Sequence, residues 1–180
     1  MSFSARIKEE LSRQMSPARH CQIAEIAAIL SLCGGIQISG DDRYTIKIHT
    51  ENVTVARKCF TLLQKTFNIE TKIFVRENSH LKRVKVYTIE ITDPEEIQVI
   101  FQALRLVTNS IDQGTLVLSD MLVVQQNCCK RAFIRGAFLA SGSISDPEKG
   151  YHFEIVCSDA KRAEQLQTII RSFSVDAKIV

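Results

Sequence analysis

The chain has no uncharged apolar run approaching roughly 18 residues, so no membrane-spanning helix is expected. A signal peptide is not expected at Met1-Ser2-Phe3-Ser4-Ala5-Arg6-Ile7-Lys8-Glu9-Glu10-Leu11, which reads as a charged amphipathic helix. No G-x-S-x-G, Walker A, H-E-x-x-H or Rossmann glycine pattern occurs, which removes the usual sequence marks of hydrolase, nucleotide-binding and zinc-protease chemistry. No C-x-x-C pair occurs among the six cysteines, at 21, 33, 59, 128, 129 and 157. A zinc site built from Cys and His20 or His152 has poor spacing, and no metal or cofactor is expected. The cysteines read as reduced thiols of a cytosolic protein, acting as small apolar residues. A strong net charge is also missing, at +3 for 180 residues.

That small charge is unevenly spread. Residues 71–89 hold Lys72, Arg76, Lys82, Arg83 and Lys85 against Glu77 alone, a local +4. Residues 92–127 hold Asp93, Glu95, Glu96, Asp112 and Asp120 against Arg105, a local −4. A basic strand pair beside an acidic connector fits a surface for a polyanion, and equally a solvated hairpin of mixed charge.

What the chain does have is an internal repeat. Ala24-Glu25-Ile26-Ala27-Ala28-Ile29-Leu30-Ser31-Leu32-Cys33-Gly34 and Ala132-Phe133-Ile134-Arg135-Gly136-Ala137-Phe138-Leu139-Ala140-Ser141-Gly142 are both apolar helices ending at Gly before a short β-like run. Their offset is 108, and a second match, Phe67 to Ile73 against Phe173 to Ile179, has offset 106. Ala24 and Ala28, and Ala132, Gly136 and Ala140, recur at intervals of four, so two helix backbones can approach closely. A repeat of this kind fixes architecture before single residues are interpreted.

The order of elements follows from periodicity and punctuation. Phe3, Ile7 and Leu11 stripe a helix over 3–13, and Pro17 ends the segment. The first repeat helix, about 21–33, closes at Gly34-Gly35 as a glycine C-cap. Ile36 to Ile38 is a short strand, Gly40-Asp41-Asp42 a turn and Tyr44 to Thr50 the returning strand. Asn52 caps a helix to about Phe67. Thr71 to Val75 and Val84 to Ile91 form a second hairpin, and Asp93-Pro94-Glu95-Glu96 starts a helix to about Val107. A connector, 108–127, has Gly114 in a turn and a helix from Ser119. The order then recurs: a helix over Cys128 to Ser141, a strand at Ser143 to Ser145, a turn at 146–150, and a strand from Tyr151 to Cys157. Asp159 then caps a helix to about Phe173, and a strand opens at Ala177.

The expected domains are thus an N-terminal helix (1–20), a first repeat (21–107), the connector (108–127) and an incomplete second repeat (128–180). The second copy lacks counterparts of the strand at 84–91 and the helix at 94–107. A partial sequence is therefore expected, with an unpaired strand edge at Val180.

Two copies of helix-strand-strand-helix-strand-strand-helix, with Ile26 to Gly34 and Ile134 to Gly142 on the motif, resemble the LAGLIDADG homing-endonuclease fold. The resemblance implies an α+β protein in which two pseudo-symmetric αββαββα repeats pack their motif helices at a pseudo-two-fold axis and form a DNA-gripping saddle, the second repeat here being truncated. The chain also resembles the WhiA family of bacterial regulators linked to sporulation and cell division. Ser2 to Leu11, the block Cys128 to Lys149 and Tyr151 to Ile155 carry that likeness, which runs through all 180 residues. The family also has a C-terminal helix-turn-helix domain.

In the active nucleases the residue before each closing Gly is acidic, and the two acids hold divalent metals that activate water. Here those positions are Cys33 and Ser141, and the nearest later acids, Asp41, Asp42 and Asp146, lie in turns. Hard cations take oxygen ligands. No catalytic residue and no enzyme activity is expected. The expected function is a DNA-binding transcriptional regulator domain on a degenerate nuclease fold, serving sporulation, cell division and chromosome segregation. The alternative is a protein-interaction scaffold that does not touch DNA.

For DNA contact, Lys47 and His49 of the first hairpin and Lys72 and Arg76 of the second alternate onto strand faces. Arg43, Lys82, Arg83 and Lys85 in or near turns are placed to reach phosphates. The expected partners are double-stranded DNA and other transcription or cell-division proteins. The expected state is a monomer, cytoplasmic and nucleoid-associated, with no membrane contact.

Overall fold

The computed structural model describes residues 2–38, 43–78, 84–108, 116–118 and 120–180. Helix α1 (Phe3–Arg13) starts at Ser2, whose hydroxyl accepts the Ala5 N–H. Helix α2 (Arg19–Cys33) is buried from Cys21 to Ser31 except at Ile23. Its apolar residues lie all round the helix rather than on one stripe, so it needs partners on every side. They are the motif helix of the second half, helices on its flanks and the sheet beneath. Ile26, Ile29 and Leu30 are fully buried, each contributing about 1.5–3 kcal/mol by leaving water.

At the end of α2 the chain turns straight into strand β1 (Gly34–Ile38). Gly34 has φ −90° and ψ 153°, so the left-handed C-cap expected there is replaced by extended backbone. Glycine is needed for space: a Cβ at Gly34 would lie 2.4 Å from the Leu30 carbonyl oxygen. Gly142 repeats the device, with φ −83° and ψ 154° and its Cβ position 2.3 Å from Phe138 Cδ2.

Strand β2 (Tyr44–Thr50), helix α3 (Val53–Phe67) capped by the Asn52 side chain, and strands β3 (Lys72–Asn78) and β4 (Val84–Ile91) complete an antiparallel sheet of order β1-β2-β4-β3. Ile36, Ile46, Ile48, Ile89 and Ile91 line its buried face. The turn read at residues 40–42 lies outside the described residues.

Helix α4 (Pro94–Leu104) has the Asp93 cap and first-turn acids expected of it but ends short of Val107. Arg105 takes φ 53°, its N–H closes on the Phe101 carbonyl, and the chain leaves as strand β5 (Leu106–Thr108). β5 pairs with β6 (Leu116–Leu118), and a short 3₁₀ turn at Leu122–Val124 stands where the connector helix was expected. Gly114 and Ser119 lie outside the described residues.

The second half opens with helix α5 (Asn127–Ser141) and the hairpin β7 (Gly142–Ile144) and β8 (Phe153–Ile155). The returning strand is shorter than the expected 151–157. Helix α6 (Ala160–Arg171) follows, capped by Asp159. Residues 175–180 belong to no strand, so the strand edge expected at Val180 is not formed. The most extensive contact between elements joins α2 and α5. No described helix is long and apolar enough to cross a membrane.

Candidate functional site

The α2–α5 pair is organised by small residues. Gly136 faces the α2 backbone so closely that a Cβ there would lie 2.3 Å from the Glu25 carbonyl oxygen and 3.1 Å from Ala28 Cβ. Ala24, Ala28 and Ala132 are buried beside it. The four-residue spacing read in the sequence is therefore the seam between the halves.

Cys33 and Ser141 come together at the C-terminal ends of this pair. The Cys33 thiol points at the Ala140 carbonyl at 3.5 Å, and the Ser141 hydroxyl is buried without a hydrogen-bond partner. Burial pushes the Cys33 thiol up to about 11, against the pull of the Lys8 ammonium. Burial in turn lowers Lys8, whose Nζ lies 5.7 Å from the centre of the Phe138 ring. An open depression of about 670 Å³ adjoins this end, lined among others by Lys8, His49, Glu51, Tyr87 and Ala140. A protonated thiol, a neutral hydroxyl and a cation from α1 thus occupy the helix ends, and none of them offers a hard divalent ion an anionic oxygen.

A buried ion cluster crosses the middle of the same pair. Arg135 of α5 donates to Glu25 of α2 through Nε at 3.0 Å and Nη2 at 2.7 Å, and Nη2 also donates to Ser16 Oγ at 2.9 Å. Lys58 of α3 reaches Glu25 at 3.1 Å and donates to the Gln14 carbonyl. The Glu25 and Lys58 side chains are 0% and 1% exposed, so both charges depend on these partners instead of water. The hydrogen bonds to Glu25 raise Arg135, whereas burial lowers Lys58. Sequence reasoning missed all three residues. The available signal was Glu25 itself, a lone charge inside an apolar helix.

Sheet register settles where the predicted DNA-contact residues stand. Lys47 pairs with Glu90, His49 with Thr88, and Lys72, Phe74 and Arg76 with Glu90, Thr88 and Val86. Lys47, His49, Lys72 and Arg76 therefore share the face turned away from the isoleucine layer. On it Lys47 is salt-bridged to Glu90 at 3.1 Å, and His49 Nδ1 is 3.0 Å from the Thr88 hydroxyl. Arg43 is exposed just before β2. Lys85 stands near the start of β4, with the parity of Ile89 and Ile91, so it faces the other way and pairs with Glu77 at 3.5 Å. Lys82 and Arg83 lie outside the described residues.

The opposite, N-terminal ends of α2 and α5 gather His20, Cys21, Cys128 and Cys129, residues whose sequence spacing gave no metal pattern.

The fold defined by this paired-helix seam over an antiparallel sheet is that of LAGLIDADG homing endonucleases. The chain matches I-DmoI in complex with its target DNA at TM-score 0.57, with 13% identity over 87% of this chain and 78% of that one. It matches the crystal structure of the N-terminal LAGLIDADG domain of DUF199/WhiA at TM-score 0.72, with 20% identity over 99% of this chain and 78% of that one. The WhiA N-terminal LAGLIDADG-like domain matches residues 19–107, and the WhiA LAGLIDADG-like domain matches residues 130–180. A probable cell division protein WhiA of Lachnoclostridium phytofermentans is 50% identical over 180 residues, all of this chain and 58% of that protein. The chain belongs to the WhiA family. It spans a little over half the length of the curated relatives it matches.

Proposed function

We propose that this chain is the DNA-binding, non-catalytic part of a transcriptional regulator acting in sporulation and in cell division or chromosome segregation. The observation that carries the reading is the helix-pair terminus, where Cys33 and Ser141 stand at the motif positions and Lys8 approaches them. A nuclease needs carboxylates there to hold its metal. The fold-bearing features, the seam and the strand-turning glycines, are kept while the two motif positions carry no carboxylate, which fits retention for binding. The proposed division is an N-terminal helix (1–20), repeats at 21–107 and 128–180, and a connector at 108–127. With two pseudo-symmetric halves in one chain, a dimer is not needed to make the saddle, so the proposed state is a monomer. The proposed location is the cytoplasm, on the nucleoid.

Arg43, Lys47, His49, Lys72 and Arg76 are the proposed contacts, with Lys82 and Arg83 added from sequence. Contacts of this kind supply affinity and register through phosphates more than sequence choice. Binding of duplex DNA should therefore fall steeply between low and moderate salt, each neutralised phosphate steepening the log–log slope by about 0.9. Lys72→Glu with Arg76→Glu should abolish binding in a fluorescence-anisotropy titration, whereas Lys85→Glu, on the opposite face, should leave it nearly unchanged. Equal loss in all variants, or salt-independent binding, would refute the assigned face.

Plasmid DNA incubated with the chain and Mg²⁺ or Mn²⁺ should stay supercoiled. Metal-dependent nicking that disappears on changing Cys33 and Ser141 would overturn the non-enzyme reading. Scaffolding without DNA contact is the second reading. It is favoured by apolar side chains of the second half left in solvent: Tyr151 is 95% exposed, Val156 64% and Phe153 52%.

A further inference from the structure

We propose that His20, Cys21, Cys128 and Cys129 form a four-ligand site for Zn²⁺ or a similarly thiophilic divalent cation, clamping the N-terminal ends of α2 and α5. The ligand atoms of all four lie within 4.8 Å of one another. His20 Nδ1 is 3.1 Å from Cys129 Sγ and 3.5 Å from Cys21 Sγ. Tetrahedral zinc, with Zn–S near 2.3 Å and Zn–N near 2.0–2.1 Å, sets its ligand atoms about 3.5–3.8 Å apart. A separation of 4.8 Å exceeds that spacing by about 1 Å, and two of the four ligands, His20 and Cys128, are exposed.

The repeat explains why the four meet. His20 and Cys128, and Cys21 and Cys129, are separated by 108, the offset that relates Gly34 to Gly142. They are equivalent positions brought together across the seam, so adjacency along the chain, which forms no zinc motif, becomes two-plus-two ligation in space.

The helix ends supply the second argument. His20 and Cys21 are the second and third residues of α2, and Cys128 and Cys129 hold the same places in α5. Neither helix has a side-chain cap, at Ala18 or at Gln126, whereas α1, α3, α4 and α6 are all capped by a side chain. Two N-termini without side-chain caps place the positive ends of their dipoles at the cluster, which favours thiolates.

Burial, with the other thiols alongside, raises Cys21 to about 12 and raises Cys129. Ligation forms three metal–sulfur bonds and one metal–nitrogen bond, each thiol passing its proton to water as it binds, with no change in oxidation state. Three thiolates and one imidazole are a set soft enough to select zinc over Mg²⁺ or Ca²⁺. A depression of about 270 Å³ lined by His20, Gln125, Gln126 and Cys129 gives an ion access from solvent.

The test uses the 180-residue chain, tag-free and reduced. Mass-spectrometric metal analysis should find one equivalent of zinc. Co²⁺ replacing it should show the thiolate charge-transfer absorption and intense visible bands of a tetrahedral site. His20→Ala with Cys128→Ser, both at exposed positions, should lose stoichiometric binding with unchanged circular dichroism, and Cys157→Ser should keep it. Zn²⁺ should raise the melting temperature of the parent and not of the double variant. The proposal is overturned if the folded, reduced chain takes up no metal, if the double variant still binds one equivalent, or if the cluster yields only a disulfide.

Discussion

Glu25→Gln should remove about 3–5 kcal/mol of folding stability, the cost of leaving buried cations without their counter-charge. Among the described residues Glu25 is the single acid serving both Lys58 and Arg135, and its side chain is fully enclosed. The amide keeps the shape and loses the charge, so cavity formation does not confuse the result. A domain of this size has about 5–15 kcal/mol in total, so the loss is a large fraction of it. Urea unfolding followed by circular dichroism measures it. Replacing all three residues together, Glu25→Met, Lys58→Met and Arg135→Met, should recover most of the loss, because well-packed apolar groups of similar volume often match a buried ion cluster. A single variant within about 1 kcal/mol of the parent would show that water reaches the cluster.

Gly136 gives the second large effect, and two opposing magnitudes decide its sign. Helix propensity alone predicts that Gly136→Ala stabilises by about 1 kcal/mol. Steric overlap opposes it, because the added Cβ meets the Glu25 carbonyl oxygen at 2.3 Å. That atom belongs to helix backbone and cannot swing aside, so α2 and α5 must separate along their seam, at about 1–3 kcal/mol or more. Gly136→Ala should therefore destabilise, and Gly136→Val should cost more than about 3 kcal/mol. Thermal melts of the two variants in series give the answer, and a stabilised Gly136→Ala would mean that the helices are farther apart than described.

Local chemistry made much of the architecture readable in advance. Asn52, Asp93 and Asp159 cap the helices they were expected to cap, and the small-residue spacing located the seam. Misreadings arose where a residue's conformation depends on more than its type. Arg105 ends α4 by adopting a left-handed conformation that no composition rule assigns to arginine. Gly34 has the place of a glycine C-cap, but at Gly34 and Gly142 alike crowding against Leu30 and Phe138 is what excludes a side chain. The face of Lys85 was legible too, since its parity with Ile89 and Ile91 already assigns it. The ion cluster is different, because it joins residues 14, 16, 25, 58 and 135, which only the folded chain brings together. Cysteine spacing counted along the chain gave no pattern, whereas counted across the repeat Cys21 matches Cys129 and His20 matches Cys128.

The enclosure of α2 also bears on the order in which the protein is made. Its closest companion, α5, supplies Arg135 across a separation of 110 residues. A ribosome adding about 5–20 residues per second leaves the α5-facing side of α2 bare for roughly 5–20 s after that helix emerges. Contacts so distant in sequence also close slowly once both partners exist. The nascent first half therefore carries an open apolar seam, with Glu25 answered by Lys58 and still lacking Arg135, until α5 arrives. During that interval Glu25, the only charge between Cys21 and Ser31, is what keeps the bare helix hydrated.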